Sequence, residues 1–100
     1  MKDYDFWKDW KNKTKIENKA IVAVEKARTL IINLIPKNAL VAIYIKGSFV
    51  RREMKKGSDV DVVPIVTENK HEDAVFSVNS SEIEPAVIIP LSLWELEHNE

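Results

Sequence analysis

Apolar residues recur at helical spacing over residues 14–35, and this pattern predicts one long helix. The stripe repeats every three or four positions and consists of Ile16, Ala20, Ala23, Val24, Ala27, Leu30, Ile31, Leu34 and Ile35. Thr14 followed three residues later by Glu17 is the pattern of an N-terminal capping box, and Pro36 ends the helix. We expect this helix to cover one face of a sheet and to take no part in chemistry.

Three later segments are apolar and have the length of strands: residues 39–46, 58–66 and 83–89. Pro64 in the second segment indicates an edge strand, a bulge or the end of a strand. Residues 49–56 are amphipathic and predict one or two helical turns, whereas 68–81 fit either a short helix or an irregular crossing. This order predicts an α/β (α+β) fold, a small mixed β-sheet with helices packed on it.

Aromatic residues are concentrated near the N-terminus, where Tyr4, Trp7 and Trp10 lie near one face of a predicted short helix. In one interpretation they pack on their own domain. In the other they form a subunit contact, because Trp and Tyr are enriched at interface cores. A homo-oligomer is therefore left open. At the other end of the chain, Ser92 is a candidate cap for a last helical turn.

Composition narrows the class of protein. With 100 residues, 45% of them hydrophobic and 31% charged, we expect one soluble globular domain over residues 1–100. The net charge of -1 argues against a dedicated binder of duplex nucleic acid. The absence of cysteine excludes disulfides, a cysteine nucleophile and Cys-based zinc sites. No apolar run approaches the ~20 residues of a membrane span, so we expect a cytoplasmic protein without a membrane partner.

Basic residues cluster in the segment 46–56, against this near-neutral background. Its five cations face one Glu53, a net charge of 5 − 1 = +4; the cations are Lys46, Arg51, Arg52, Lys55 and Lys56. A short patch of this kind suits a polyphosphate anion better than a long nucleic acid. Gly47-Ser48 lies within it, just after the first predicted strand. Glycine lets the backbone approach a ligand, and backbone N–H groups with the Ser48 hydroxyl would cradle a triphosphate.

Two aspartates begin the second predicted strand, in the run Gly57-Ser58-Asp59-Val60-Asp61. Because alternate strand residues share a face, Asp59 and Asp61 would lie on the order of 7 Å apart along one side. Like charges at that spacing repel unless they are solvated or share a cation. Mg²⁺ takes carboxylate and phosphate oxygens, and two such ions stabilise both the attacking and the leaving oxygen of a phosphoryl displacement. Neither a calcium loop nor a Walker A loop fits the spacing.

The combined motif is more specific than its parts. Gly-Ser, nine residues, then Ser-Asp-x-Asp between two apolar strands resembles the nucleotidyltransferase superfamily of the DNA polymerase β type, and within it the minimal nucleotidyltransferases of archaea and bacteria. The pattern Gly-Ser-x-Ala-Arg-Gly followed by Ser-Asp-x-Asp is matched at Gly47, Ser48, Arg51, Ser58, Asp59 and Asp61. Val50 stands where the family commonly has Ala, and Arg52 where it commonly has Gly. The resemblance implies the polymerase β-like palm fold.

The resemblance also implies a reaction and a set of roles. A nucleoside monophosphate would pass from an NTP, with ATP as the expected donor, to an acceptor hydroxyl. Asp59 and Asp61 would hold Mg²⁺ or Mn²⁺. The NTP would lie against Gly47, Ser48, Arg51 and Ser58, with Lys46 as an alternative cation. The family uses a third carboxylate on a later strand, for which Glu84 and Glu82 are candidates. Glu84 is preferred as catalytic and metal-binding residue, because it lies inside an apolar run.

The resemblance implies a partner as well. Minimal members are often encoded with a helical protein of the HEPN class, and some act as antitoxins that adenylylate a tyrosine of that partner. An alternative is a catalytically inactive nucleotide-binding or partner-masking module of the same fold, which Arg52 and the unsettled choice of third carboxylate favour. A purely structural domain would leave the basic patch beside an aspartate pair unexplained.

Overall fold

The computed structural model describes residues 5–67, 77–78 and 82–98. A 3₁₀ helix at Phe6–Asp9 precedes the long helix α1 (Lys15–Leu34). The strands β1 (Leu40–Lys46), β2 (Val60–Val66), β3 (Ala86–Ile88) and β4 (Leu91–Ser92) follow, and the helix α2 (Leu93–His98) comes last. This is the predicted α/β arrangement of a long helix on a small mixed sheet. Tyr4 and nearly all of the segment 68–81 lie outside the described residues, so the predictions for them stay predictions.

Helix α1 begins and ends where the sequence predicts. Thr14 Oγ1 accepts a hydrogen bond from the Glu17 backbone N–H at 3.1 Å, and the Thr14 N–H donates to Glu17 Oε1 at 3.0 Å. This reciprocal pair is the predicted capping box. Its apolar stripe is buried at Ala20, Ala23, Val24, Ala27 and Ile31, so α1 covers one face of the sheet as expected.

Strand β2 lies at the centre of the sheet. β1 pairs with it antiparallel on one side, and both β3 and β4 pair with it parallel on the other. Val60 and Val62 are fully buried and belong to the core that α1 covers, together with Ala86 and Ile88 of β3. Asp61, between the two valines, therefore points to the opposite face of the sheet.

The expectation that Pro64 marks an edge strand, a bulge or a strand end is wrong, because Pro64 lies inside the central strand and pairs with Ile43. The alternation of the backbone explains why it fits. The Val60 N–H donates to Pro85 O and the Val62 C=O accepts from the Ile89 N–H, so even-numbered residues of β2 direct their polar atoms toward β3. Beside Pro64 the pairing on that side is interrupted, since β3 ends at Ile88 and β4 begins at Leu91. The missing N–H of proline therefore breaks no ladder bond.

The N-terminal aromatics pack inside the chain. Trp7 is 4% exposed and joins the core. Phe49, fully buried, lies 5.3–5.8 Å from the rings of the three N-terminal aromatics, Phe6, Trp7 and Trp10. Aromatic pairs at such separations add to the stabilisation that burial alone provides. The intramolecular interpretation is confirmed for Trp7.

The prediction of one or two helical turns at residues 49–56 is wrong, because the chain forms successive turns there. Backbone N–H groups donate from Val50 to Gly47 O, from Arg52 to Phe49 O and from Glu53 to Ser48 O, at 2.9–3.2 Å. Arg52 has a φ of +55°. A right-handed helix requires negative φ, so no helix can continue through this residue.

In the C-terminal part of the chain, the strands differ from those predicted, whereas the last helix forms where it was predicted. The third strand covers only Ala86–Ile88 of the predicted 83–89, and β4 forms beyond Pro90, where no strand was expected. Ser92 caps α2 as predicted: its Oγ accepts from the Glu95 N–H at 3.0 Å, and its own N–H donates to Glu95 Oε1 at 3.0 Å. Within the described ranges, no helix has the length and apolar character needed to cross a membrane.

Candidate functional site

The turn after β1 and the start of β2 lie against each other at one end of the sheet. A Cβ atom added to Gly47 would lie 3.6 Å from the Asp59 carbonyl oxygen, and Gly47 itself has a φ of +109°. The register pairs Lys46 with Asp61. The backbone conformation at Gly47 is one that L-residues rarely adopt, so glycine is needed to turn the chain this close to Asp59. The two halves of the sequence motif therefore meet in space.

The aspartates flank Val60 and differ in their surroundings. Asp59 is exposed and comes just before β2, whereas Asp61 is half-buried within the strand. Neither carboxylate forms an ion pair with any residue that the structure describes. Lys46 of β1 and Val87 of β3 are the residues in register with Asp61. Val87 is 40% exposed, so an apolar side chain stands beside Asp61 on the face of the sheet away from α1.

Glu84, the preferred third carboxylate, lies in the turn before β3 and is exposed; it does not lie inside a strand as expected. The turn is closed by a hydrogen bond from the Ala86 N–H to Ile83 O at 2.7 Å. Glu84 and Asp59 nevertheless line one cavity. Glu82, the other candidate, is exposed two residues earlier. Across the described ranges, no group of three or more His, Cys, Asp or Glu side chains is arranged to hold a metal ion.

Ser58 shapes the loop that leads into Asp59. Its Oγ accepts from the Lys55 N–H at 3.0 Å, and its own N–H donates to Lys55 O at 2.9 Å. The pair closes the turn around Gly57, which has a φ of +88°. The Ser58 hydroxyl thus holds the backbone in a fixed path immediately before the aspartate.

The cations of the basic patch are not equivalent. Arg51 lies 3.4 Å from Glu53, and both side chains are about 60% exposed, so this pair contributes little to stability. Arg52 is paired with Glu17 of α1. Lys46, Lys55 and Lys56 form no ion pair within the described part of the chain. Three lysines therefore supply the unpaired positive charge near the Gly47–Ser48 turn and the Asp59 loop.

Arg52 fastens the turn to the N-terminal end of α1. Its Nε and one terminal nitrogen each donate to a Glu17 carboxylate oxygen at 2.9 Å, and the terminal nitrogen also donates to Lys11 O at 3.1 Å. The guanidinium lies 4.6 Å from the centroid of the Trp10 ring. A non-glycine residue at positive φ is strained, and these contacts offset that strain.

The Arg52 hydrogen bond is the largest cause that lowers the pKa of Glu17, to about 2, and the hydrogen bond from the Thr14 backbone is the next. Burial acts in the opposite direction but is outweighed. Glu17 in turn raises the pKa of Arg52. The sequence pattern predicts the capping role of Glu17 and not this second role. The signal was Arg52 itself, which stands where the motif that this chain resembles commonly has glycine.

Comparisons with known proteins bear on the fold. No family model matches the chain, and no curated protein matches it in sequence. It is similar in structure to a crystal structure from Sulfolobus solfataricus described as that of a "putative nucleotidyltransferase". The TM-score is 0.60 at 19% sequence identity, over 89% of this chain and 85% of the other. The long helix on a small mixed sheet and this match together show that the chain has the fold of a nucleotidyltransferase, as its motif predicted.

Proposed function

We propose that this chain is a metal-dependent nucleotidyltransferase that moves AMP from ATP, or another nucleoside monophosphate from its triphosphate, to an acceptor hydroxyl. The observation that supports it most is the contact between the Gly47–Ser48 turn and Asp59, with Asp61 following on β2. A site for transferring a nucleotide needs a surface for the phosphates next to carboxylates for a cation. This end of the sheet offers both.

In this proposal Asp59 and Asp61 hold Mg²⁺ or Mn²⁺. The donor set fits one such ion, because Mg²⁺ is commonly bound by one or two carboxylates together with substrate phosphates. When bound, the ion would neutralise charge on the phosphate oxygens. The Gly47–Ser48 backbone and the Ser48 hydroxyl bind the triphosphate, with Lys46 or Arg51 as the nearby cation. Ser58 acts through the loop, by holding Asp59 in place.

The transfer makes one bond and breaks one. The acceptor oxygen bonds to the α-phosphorus, the bond from the α-phosphorus to the bridging oxygen breaks, and pyrophosphate leaves. The acceptor proton goes to a carboxylate, for which Glu84 is the candidate because it lines the same cavity as Asp59. The acceptor itself is taken from the family resemblance: a tyrosine hydroxyl of a HEPN-type helical partner, which would make this chain its antitoxin.

Calorimetric titration with ATP and the other NTPs, with and without Mg²⁺, tests the proposal. We expect binding that depends on Mg²⁺ and that is lost in Asp59→Asn and in Asp61→Asn. Asp9→Asn is the matched control, since Asp9 is exposed in the 3₁₀ helix and forms no described ion pair. Equal binding by wild type and both site variants would refute the site. Transfer is then tested with labelled ATP and a HEPN-type protein as the acceptor.

A second candidate function is an inactive nucleotide-binding or partner-masking module. One observation favours it: the β3 residue in register with Asp61 is Val87, and Glu84 lies in the turn before that strand. The two functions differ in one outcome. Mg²⁺-dependent binding of NTP without label transfer to any acceptor supports the module, whereas transfer that Asp61→Asn abolishes supports the enzyme.

A further inference from the structure

A cavity opens beside the Gly47–Ser48 turn and shares Ser58, Asp59 and Glu84 with the candidate site. It has a volume of about 370 Å³ and lies between the first turn of α1, the loop before β2 and the turn at Glu84 and Pro85. That volume is within the ordinary range of small-molecule sites. Asp59 borders it, whereas Gly47 and Ser48 do not. Because a Cβ atom added to Gly47 would lie 3.6 Å from the Asp59 carbonyl oxygen, the Gly47–Ser48 turn is close to a residue that lines the cavity.

Three lysines surround the cavity: Lys19 from α1, and Lys55 and Lys56 from the loop. All three are exposed, and none is paired with a carboxylate among the residues described. With Asp59 and Glu84 the lining carries three positive and two negative groups, a net charge of +1. Three ammonium groups on one cavity suit a dianion such as a phosphate monoester better than they suit a carboxylate.

The remaining lining comes from Ile16, Met54 and Pro85, which are apolar and partly buried, and from Gly57 and Ser58. The cavity therefore offers cations, a small apolar surface and, at the Asp59 and Glu84 end, carboxylates that accept hydrogen bonds. A ligand that matches all of these carries a phosphate, a compact body and a free hydroxyl. The hydroxyl is also the group that the proposed reaction requires of its acceptor.

We infer that this cavity is a second ligand site for a small phosphorylated alcohol, which binds through Lys19, Lys55 and Lys56. That this ligand is a second kind of acceptor, besides the partner's tyrosine, rests on the proposed function, because Asp59 and Glu84 line the cavity. Binding in the cavity can be measured without any transfer.

Calorimetric titration with ribose 5-phosphate, and with ribose as the uncharged control, tests the inference. We expect ribose 5-phosphate to bind and ribose to bind far more weakly. The double variant Lys19→Ala/Lys56→Ala should lose about tenfold or more in affinity, since each charge-assisted contact is removed. Lys26→Ala is the matched control, because Lys26 is exposed on α1 and is not among the lining residues. Thermal melting of each variant checks that the fold is kept.

Competition with ATP separates this inference from the proposed function. Ribose 5-phosphate that binds in the presence of saturating ATP, and still binds to Ser48→Ala, supports a second site. If the protein binds ribose 5-phosphate but does not bind ATP, the ligand site in the cavity is supported. In that case only the proposed function is refuted. The inference is overturned if ribose 5-phosphate fails to bind at millimolar concentration, if the lysine double variant binds like wild type, or if ATP displaces it competitively.

Discussion

Replacing Glu17 by glutamine tests the link between α1 and the Gly47–Ser48 turn. Glu17 is 5% exposed, and Arg52 and Thr14 hold its carboxylate. Lowering its pKa from 4.5 to about 2 corresponds to about 3 kcal/mol of stability at neutral pH. The amide oxygen of glutamine keeps the bond from the Thr14 N–H. We therefore expect Glu17→Gln to lower the free energy of unfolding by about 2 kcal/mol.

The pH dependence has a definite sign. A carboxyl group whose pKa is lower in the folded state stabilises the fold above its unfolded pKa, and that stability is lost as pH falls. For Glu17 the loss runs from about pH 4.5 down to about 2, so the difference between wild type and Glu17→Gln should shrink over this window. Asp5 also has a lowered pKa, chiefly from its hydrogen bond with Arg28. Both proteins keep Asp5, and subtraction of the two curves removes its contribution.

Urea unfolding followed by tryptophan fluorescence measures this effect, from neutral pH down to the lowest pH at which both proteins fold. Glu25→Gln is the matched control, because Glu25 lies exposed on the same helix without a described ion pair. It should change stability by less than about 0.5 kcal/mol. The reasoning is refuted if Glu17→Gln is as stable as wild type at neutral pH, or if the difference between them is the same in acid.

Three further predictions concern the turn at Arg52, the strand pair around Asp61 and the core. The melting temperature of Arg52→Gly should lie between those of wild type and Arg52→Ala. Both variants lose the contacts with Glu17, but only glycine accepts a φ of +55° without strain. A glycine variant with a lower melting temperature than the alanine variant contradicts this. Val87→Asp should raise the affinity for Mg²⁺ about tenfold in calorimetry, because it adds a carboxylate in register with Asp61; unchanged affinity would show that the two side chains do not share an ion. Trp7→Ala should cost about 3–5 kcal/mol in urea unfolding, because Trp7 is 4% exposed in the core, and a loss under about 1 kcal/mol would contradict that burial.

Some of the candidate site was predictable because its signals are short-range. Gly47-Ser48 ends a strand, and Asp59 and Asp61 begin another, so the chain returns both to one end of an antiparallel pair. The surroundings of the site were not predictable in this way. Val87 stands beside Asp61 only because of the register between β2 and β3, which are far apart in the chain. Glu84 reaches the cavity of Asp59 from a turn, although the apolar run around it indicated a strand.

What the sequence determined by itself was local. Helix α1 follows from the spacing of its apolar residues and from Thr14 and Glu17, all within hydrogen-bonding or packing reach along one helix. Tertiary structure alone decided the rest. Pro64 sits in the central strand because the partner on that side is interrupted, and Arg52 adopts a positive φ because Glu17, 35 positions earlier, receives its guanidinium. Such choices depend on which groups distant segments bring within a few ångströms, and no local pattern encodes that.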